Sequence, residues 1–282
     1  MRLMRVGAFG AERPVVSDDG QTWYDAEQLG DYTPEFLAGD GLERLRAALA
    51  ERTLQQVDID GARIGAPLAR PQAIVCIGQN YAAHAAESGS APPKYPIVFL
   101  KHPNTLRGPH DPVRVPRGAT TVDWEVELAV VIGREARYLD SDEAALACVA
   151  GYALANDVSE RTFQREISGG QWSKGKCCED FFPLGPWIAV DEIEDVQALR
   201  LSSRVNGDIR QDSTTADMIF SVATLIRDLS QVMVLSPGDV ISTGTPQGVA
   251  LSGNFPYLAV GDVMDLQLDG CGAQRTELIA AD

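Results

Sequence analysis

Two short stretches of this 282-residue chain carry residue types whose spacing could support chemistry. Asp123-Trp124-Glu125-Val126-Glu127-Leu128 places two glutamates two positions apart, and Asn156-Asp157-Val158-Ser159-Glu160-Arg161 adds a further aspartate. The β-branched residues that follow Glu127 predict a strand closed by Gly133. Alternate side chains of a strand share a face, so Glu125 and Glu127 project together. A second predicted strand, residues 151–156, ends at Asp157. If the two strands pair, three carboxylates converge. Like charges at that density in a partly dry site call for a cation. An all-oxygen set without histidine or cysteine suits Mg²⁺ or Mn²⁺, with water completing the shell. The same spacing also fits the polar face of a solvated edge strand, and the residues by themselves leave both readings open.

Upstream, Gly78-Gln79-Asn80-Tyr81-Ala82-Ala83-His84-Ala85-Ala86-Glu87 turns from an apolar strand (73–77) into an alanine-rich helix. His84 and Glu87, three apart, lie on one helix face. A histidine backed by a carboxylate can serve as a general base, the carboxylate fixing its tautomer. A surface pair with no role is the alternative. The loop 88–95 that follows, with two prolines and a glycine, fits either a lid or an exposed connection. Downstream, Arg161 and Gln164 precede Gly169-Gly170-Gln171-Trp172-Ser173-Lys174-Gly175-Lys176, where a lysine can meet a substrate carboxylate and Lys174 is expected to be solvated. Thr243-Gly244-Thr245 offers hydroxyls and backbone N–H groups to an anion.

The elements that must position these groups are mostly short strands. Residues 2–9 read as a strand, 13–25 as a hairpin, and Thr33-Pro34 as a capped helix start, with an apolar stripe at Leu42, Leu45, Ala48 and Leu49. Residues 64–71, with Pro67 and Pro71, read as a linker. This gives a small N-terminal α+β domain (1–70) and a catalytic domain (71–282). Within the latter, 96–101, 199–205 and 240–242 read as strands, Asn206-Gly207 as a hairpin turn, 218–229 as an amphipathic helix, and 263–268 as the last strand. Many strands and few helices imply a β-rich α+β fold closed on itself.

Bulk properties narrow the partners. The formal net charge is −16, which argues against nucleic acid and anionic membranes, since both demand clustered Lys and Arg. The five cysteines form no Cys-x-x-Cys pair and point to a reducing compartment without a disulfide framework or zinc site. The first residues lack a signal-peptide apolar core, and no apolar stretch reaches the roughly 18 residues of a membrane span. A cytoplasmic location is expected.

Taken together, residues 71–282 resemble the fumarylacetoacetate hydrolase family. The likeness rests on Ile77 to Tyr81 with His84 and Glu87, on the 123–128 and 156–164 motifs, on Gly175-Lys176, Pro183 to Trp187, Val205-Asn206-Gly207, and on Pro237-Gly238-Asp239 through Thr245-Pro246. Within the family the chain looks most like diketo-sugar-acid hydrolases and ureidoglycolate-lyase-like proteins that carry a small leading domain. The resemblance implies a mixed β-sandwich roll, a homodimer, and a divalent metal, Mg²⁺ or Mn²⁺, on Glu125, Glu127 and Asp157. It implies His84 and Glu87 as the water-activating pair, and Lys176 and Gln164 as groups that bind substrate or stabilise developing charge. It implies Thr245 as a contact for the substrate carboxylate, and Arg161 joins the expected substrate-binding set. The activity implied is hydrolysis of a 2,4-dioxo acid, of the acylpyruvate or diketo-deoxy-sugar-acid type, to pyruvate and a carboxylic acid. Oxaloacetate decarboxylation or isomerisation of an oxo diacid would use the same metal site. A catalytically silent metabolite- or metal-binding relative is the non-enzymatic alternative. Two departures from the family pattern, Ala250-Leu251 and Cys177-Cys178, leave the core set intact.

Overall fold

The computed structural model describes residues 1–282. Its centre is the strand Val126–Ile132, buried at every position. A strand apolar on both faces must lie between two packed layers, and this one does. Val126, Leu128, Val130 and Ile132 enter one core, whereas Ala129 and Val131 enter another on the opposite face. Val149–Asn156 pairs antiparallel on one side, with Val126 opposite Asn156 and Glu127 opposite Ala155. Val240–Ser242 pairs antiparallel on the other. Beyond it come Ile74–Gly78, parallel, and the edge strand Ile97–Lys101.

In the other direction the sheet runs through Ile188–Ala189 to Arg2–Val6, and then to Arg13–Ser17, Trp23–Asp25 and Gln56–Val57, ten strands in all. The leading residues thus extend the same sheet, with Leu3 opposite Ile188. Their helices, Pro34–Ala38 and Gly41–Ala50, bring Phe36, Leu37 and Leu45 into one core with Ile74, Ala129 and Val131. Thr33 Oγ1 accepts from Phe36 N, the expected cap. In the expected linker, Leu68 is fully buried and Ile64 bridges to Val6.

A five-stranded sheet, Asp208–Thr214, Arg200–Val205, Val263–Leu268, Gly272–Ala280 and Val113–Val115, forms the second layer. Leu201, Met264, Leu266 and Leu278 pack with Leu128 and Val130, and the helix Val222–Leu229 adds Leu225 and Ile226. The architecture is the β-rich α+β sandwich roll expected. Asn206 and Gly207 have φ of 52° and 87°, the left-handed pair a two-residue hairpin turn requires.

Three element boundaries differ from expectation. The first strand stops at Val6, where Gly7 takes a φ of 131°. The helix expected from Met218 begins only at Val222. Ile219 and Phe220 donate their N–H groups to Asn80 O and Oδ1, which holds that segment extended, and Ser221 caps the helix through Thr224 N. The strand 263–268 is not the last, because nine further residues, Gly272–Ala280, pair with it.

Candidate active site

Strand alternation carries the carboxylates to one place. Glu125 and Glu127 share the face of Ala129 and Val131, and Asp157 continues the face of Ala153 and Ala155 on the paired strand. The alanines leave that face room for larger neighbours. One ligand atom from each of Glu125, Glu127 and Asp157 lies within 4.8 Å of the others, and all three residues are buried. This excludes the solvated edge-strand reading.

Cations compensate the cluster unevenly. Lys176 Nζ donates to Glu125 Oε2 and to Asp157 Oδ2, both at 2.7 Å. Lys101 Nζ donates to Asp157 Oδ1 and, at 2.9 Å, to Val158 O. Arg161 Nη2 stands 2.7 Å from Glu125 Oε1 and 2.7 Å from Asp123 Oδ2. Burial drives the Glu125 carboxyl up, but Lys176 and Arg161 outweigh it and hold it at about 2. Burial likewise pulls Lys176 down, and Asp157 with Glu125 more than reverses this, so its ammonium stays charged. Glu127 differs. Ser242 Oγ (2.6 Å) and Gly244 N (2.9 Å) donate to its Oε2, and no lysine or arginine pairs with it. Burial, with Asp157 and Glu125 beside it, raises its pKa well above the carboxylate range. A buried carboxyl whose charge is disfavoured and which no lysine or arginine pairs, beside two further carboxylates, is a donor set that fits a hard divalent ion.

Glu125 and Glu127 line a cavity of about 300 Å³, together with His84, Glu87, Arg161, Gln164, Lys176 and Thr245. The structure thus gathers every expected site residue except Asp157 along this wall, and Asp157 sits directly behind Lys176. His84, on the helix Ala82–Glu87, is held below its ordinary pKa of 6.5, chiefly by burial, with Glu125 pulling the other way. It is therefore a neutral imidazole near pH 7. Its Nδ1 is 3.7 Å from Glu87 Oε2, beyond hydrogen-bond reach. Glu87 Oε2 instead accepts from Gly248 N at 3.0 Å, and Oε1 from Asn254 Nδ2 at 3.4 Å. Helical spacing brings the pair together, and the 248–254 loop competes for the carboxylate.

Other expected groups are already engaged. Arg161 is committed to Asp123, Glu125 and Gln164 Oε1 (3.0 Å), so it orients the site before it meets any ligand. With its carbonyl oxygen so used, Gln164 keeps its NH₂ donors for the cavity. Thr245 Oγ1 donates to Val126 O (2.9 Å) and accepts from Gln211 Nε2 (2.8 Å), which fixes that wall. Lys174 is exposed, as expected, with Nζ on Ile167 O. Gly175 allows the close approach that aims Lys176: a Cβ there would stand 2.3 Å from Glu160 O and 2.4 Å from Gln164 N.

Three supporting residues went unassigned in the sequence. Lys101 ends a strand that is apolar throughout, so its inward face could not be read. Asp123 stood in a motif without a role. It accepts from Ala250 N (2.8 Å) and Leu251 N (3.0 Å) as well as from Arg161 Nε (2.8 Å), and so ties the loop at the departure Ala250-Leu251 to the floor. Gln211 lies on the strand Asp208–Thr214, just past the Asn206-Gly207 turn, in a stretch with no assigned role. Its Oε1 accepts from Val126 N and its Nε2 reaches Thr245 and Pro246 O.

A buried carboxylate triad, two lysines and a neutral histidine around a small cavity in a β-rich roll define an acidic, cation-ready pocket for a small ligand. The chain belongs to the fumarylacetoacetate hydrolase family. Residues 73–279 match the model described as fumarylacetoacetate (FAA) hydrolase C-terminal. A Burkholderia multivorans protein that carries a provisional hydrolase name is 46% identical over 280 residues, covering 97% of each chain. Among solved structures, maleylpyruvate hydrolase from Sphingobium sp. SYK-6, in complex with manganese(II) and pyruvate, superposes with a TM-score of 0.81 at 28% identity over 100% of both chains. The 2-hydroxyhepta-2,4-diene-1,7-dioate isomerase of Mycobacterium marinum gives 0.76 at 30% identity, covering 99% of this chain and 98% of that one.

Proposed function

We propose that the protein is a divalent-metal-dependent hydrolase that cleaves the C3–C4 bond of a 2,4-dioxo acid, giving pyruvate and a carboxylic acid. Glu125, Glu127 and Asp157 would hold Mg²⁺ or Mn²⁺, which when bound supplies Lewis acidity toward the substrate's carboxylate and 2-oxo oxygens. The observation that carries the reading is His84: a neutral imidazole on the wall of the same cavity as the triad. His84 takes a proton from water as the oxygen adds to the C4 carbonyl. The Gln164 NH₂ group donates to the developing oxyanion, and so does the N–H of Lys176 not used by Glu125 and Asp157. When the tetrahedral centre collapses, the C3–C4 pair leaves as the enolate of pyruvate. The imidazolium is the proton source for C3, which closes the cycle. Arg161 holds Glu125 in place, and the helix bearing His84, latched at Glu87 to Gly248, limits bulk water.

A second reading uses the same floor without water activation: decarboxylation or isomerisation of an oxo diacid. It is favoured by the engagement of Glu87 with Gly248 in place of His84. The manganese and pyruvate named for the Sphingobium hydrolase support an oxo-acid ligand in either case. The test is pyruvate release from a panel of 2,4-dioxo acids with Mg²⁺ or Mn²⁺ and again with EDTA, beside oxaloacetate. Chelator-sensitive pyruvate from a dioxo acid, well above the oxaloacetate signal, is expected. Turnover of oxaloacetate alone would select the second reading.

A further inference from the structure

Part of the cavity lining is one apolar wall: Ile77 and Gly78 at the end of the strand Ile74–Gly78, Phe99 on the neighbouring strand, and Trp172. Gly78 makes room for the indole, since a Cβ there would meet Trp172 Cζ3 at 2.4 Å and Cη2 at 3.0 Å. The six-membered ring of Trp172 thus lies against strand backbone. Its tilted packing on Phe99, ring centroids 5.5 Å apart, holds it from a second direction. The next residue anchors the segment: Ser173 Oγ donates to Leu100 O at 2.7 Å and accepts from Leu100 N at 3.4 Å.

This wall adjoins the chemistry. Lys176 Nζ, which is 2.7 Å from both Glu125 Oε2 and Asp157 Oδ2, is 4.9 Å from the Phe99 ring centroid. Contacts therefore run from the carboxylates through the ammonium and Phe99 to Trp172. Trp172 also stands one helical turn before Lys176, directly ahead of the short helix Ser173–Lys176. A carbonyl that Lys176 polarises stands close to Phe99, and its substituent has the Phe99–Trp172 wall beside it.

The hydroxyls of the cavity offer little against that wall. Ser88, Ser90, Thr245 and Ser252 line it. Ser88 donates to Ala85 O (2.9 Å), Thr245 to Val126 O (2.9 Å) and Ser252 to Val249 O (2.8 Å), all backbone carbonyls. Ser90 Oγ accepts from Gln79 Nε2 at 3.4 Å. A row of substrate hydroxyls would give up water for few hydroxyl partners here.

Resting on the dioxo-acid reading above, we infer that Trp172, seated on Gly78 and Phe99, is a specificity-determining residue for the acyl group, and that this group is apolar and ring-bearing. The two rings offer offset or edge-to-face packing to such a group. A polyhydroxylated chain of the deoxy-sugar-acid type gains nothing from them.

The test is binding, with three 2-oxo acids that share one head. 2-Oxobutanoate carries the head alone, 2-oxo-4-phenylbutanoate adds a ring at C4, and 2-oxo-3-deoxygluconate adds hydroxyls from C4 to C6. None has a carbonyl at C4, so Kd is read without C3–C4 cleavage. Calorimetry on the Mn²⁺-loaded wild type should show the ring acid binding about tenfold tighter than 2-oxobutanoate, as burial of a ring on an aromatic wall gives. The hydroxylated acid should bind no tighter than 2-oxobutanoate. Trp172→Ala should bring the ratio of ring acid to 2-oxobutanoate close to one, and Trp172→Phe should keep part of it. Gly78→Ala, which displaces the indole without removing it, should lower the same ratio. Each ratio is taken within one variant, so a general loosening that weakens both acids alike leaves it unmoved. If the wild type binds the ring acid no tighter than 2-oxobutanoate, or binds the hydroxylated acid as tightly as the ring acid, the inference is overturned and the dioxo-acid reading stands. A ratio that survives in Trp172→Ala overturns the role of Trp172. If none of the three acids binds the Mn²⁺-loaded wild type, the inference and the dioxo-acid reading both fall.

Discussion

Lys101 and Asp157 form an ion pair whose two side chains are wholly buried, and the second oxygen of the same aspartate receives Lys176. Removing one member of a buried pair strands the other charge, which costs about 3 kcal/mol or more. Lys101→Met should therefore lower unfolding free energy by about 3 kcal/mol in urea titrations. The same change made in an Asp157→Asn background should cost clearly less. An equal cost in both backgrounds would show that the two side chains are not coupled.

Burial and two adjacent carboxylates disfavour the charge of Glu127 and raise its pKa well above the usual carboxylate range. A metal there competes with protons for the Glu127 carboxylate. Mn²⁺ affinity should thus strengthen as pH rises, over a range set above the usual carboxylate pKa. Calorimetry in buffers of different ionisation enthalpy should register proton release when the ion binds. Glu127→Gln should abolish the release and weaken Mn²⁺ at least about tenfold. Unchanged affinity in that variant would remove Glu127 from the ligand set.

His84 starts from a pKa of 6.5 and is lowered, chiefly by burial. A lowered pKa means that the folded protein gives up this proton more readily than the free side chain. The active, neutral form then persists to more acidic pH. The acid limb of kcat/KM for dioxo-acid hydrolysis should fall below pH 6.5 and flatten above it. His84→Ala should remove the limb together with hydrolysis, and largely spare any oxaloacetate decarboxylation. Equal loss of both reactions would mean that His84 is not specifically a water-activating base.

Gly175 sets the distance between the segment 173–176 and the helix Arg161–Arg165, since a Cβ would meet Gln164 N at 2.4 Å. Gly175→Ala should push Lys176 and Gln164 apart and reduce kcat by about 10- to 100-fold, the scale of an ångström-sized misplacement. Its Mn²⁺ affinity should move far less. A variant with normal kcat would show that the two segments yield without disturbing the site.

Much of this site was legible because it follows from local periodicity. Alternation along Val126–Ile132 determines that Glu125 and Glu127 share a face whatever the rest of the chain does. The apolar run before Asp157 determines that the aspartate sits at a strand end. The 3.6-residue period likewise puts His84 beside Glu87. Tertiary structure alone decided which partner each group meets. Lys101 reaches Asp157 across 56 residues and Gly248 reaches Glu87 across 161. No local pattern encodes such pairings, because the strand holding Lys101 is apolar on both faces and a loop N–H looks the same anywhere in a sequence. Whether a carboxylate is held near 2, as Glu125 is, or pushed well above the usual range, as Glu127 is, depends on which buried cation stands against it. That is a property of the packed interior, where a few ångströms separate a paired charge from an unpaired one.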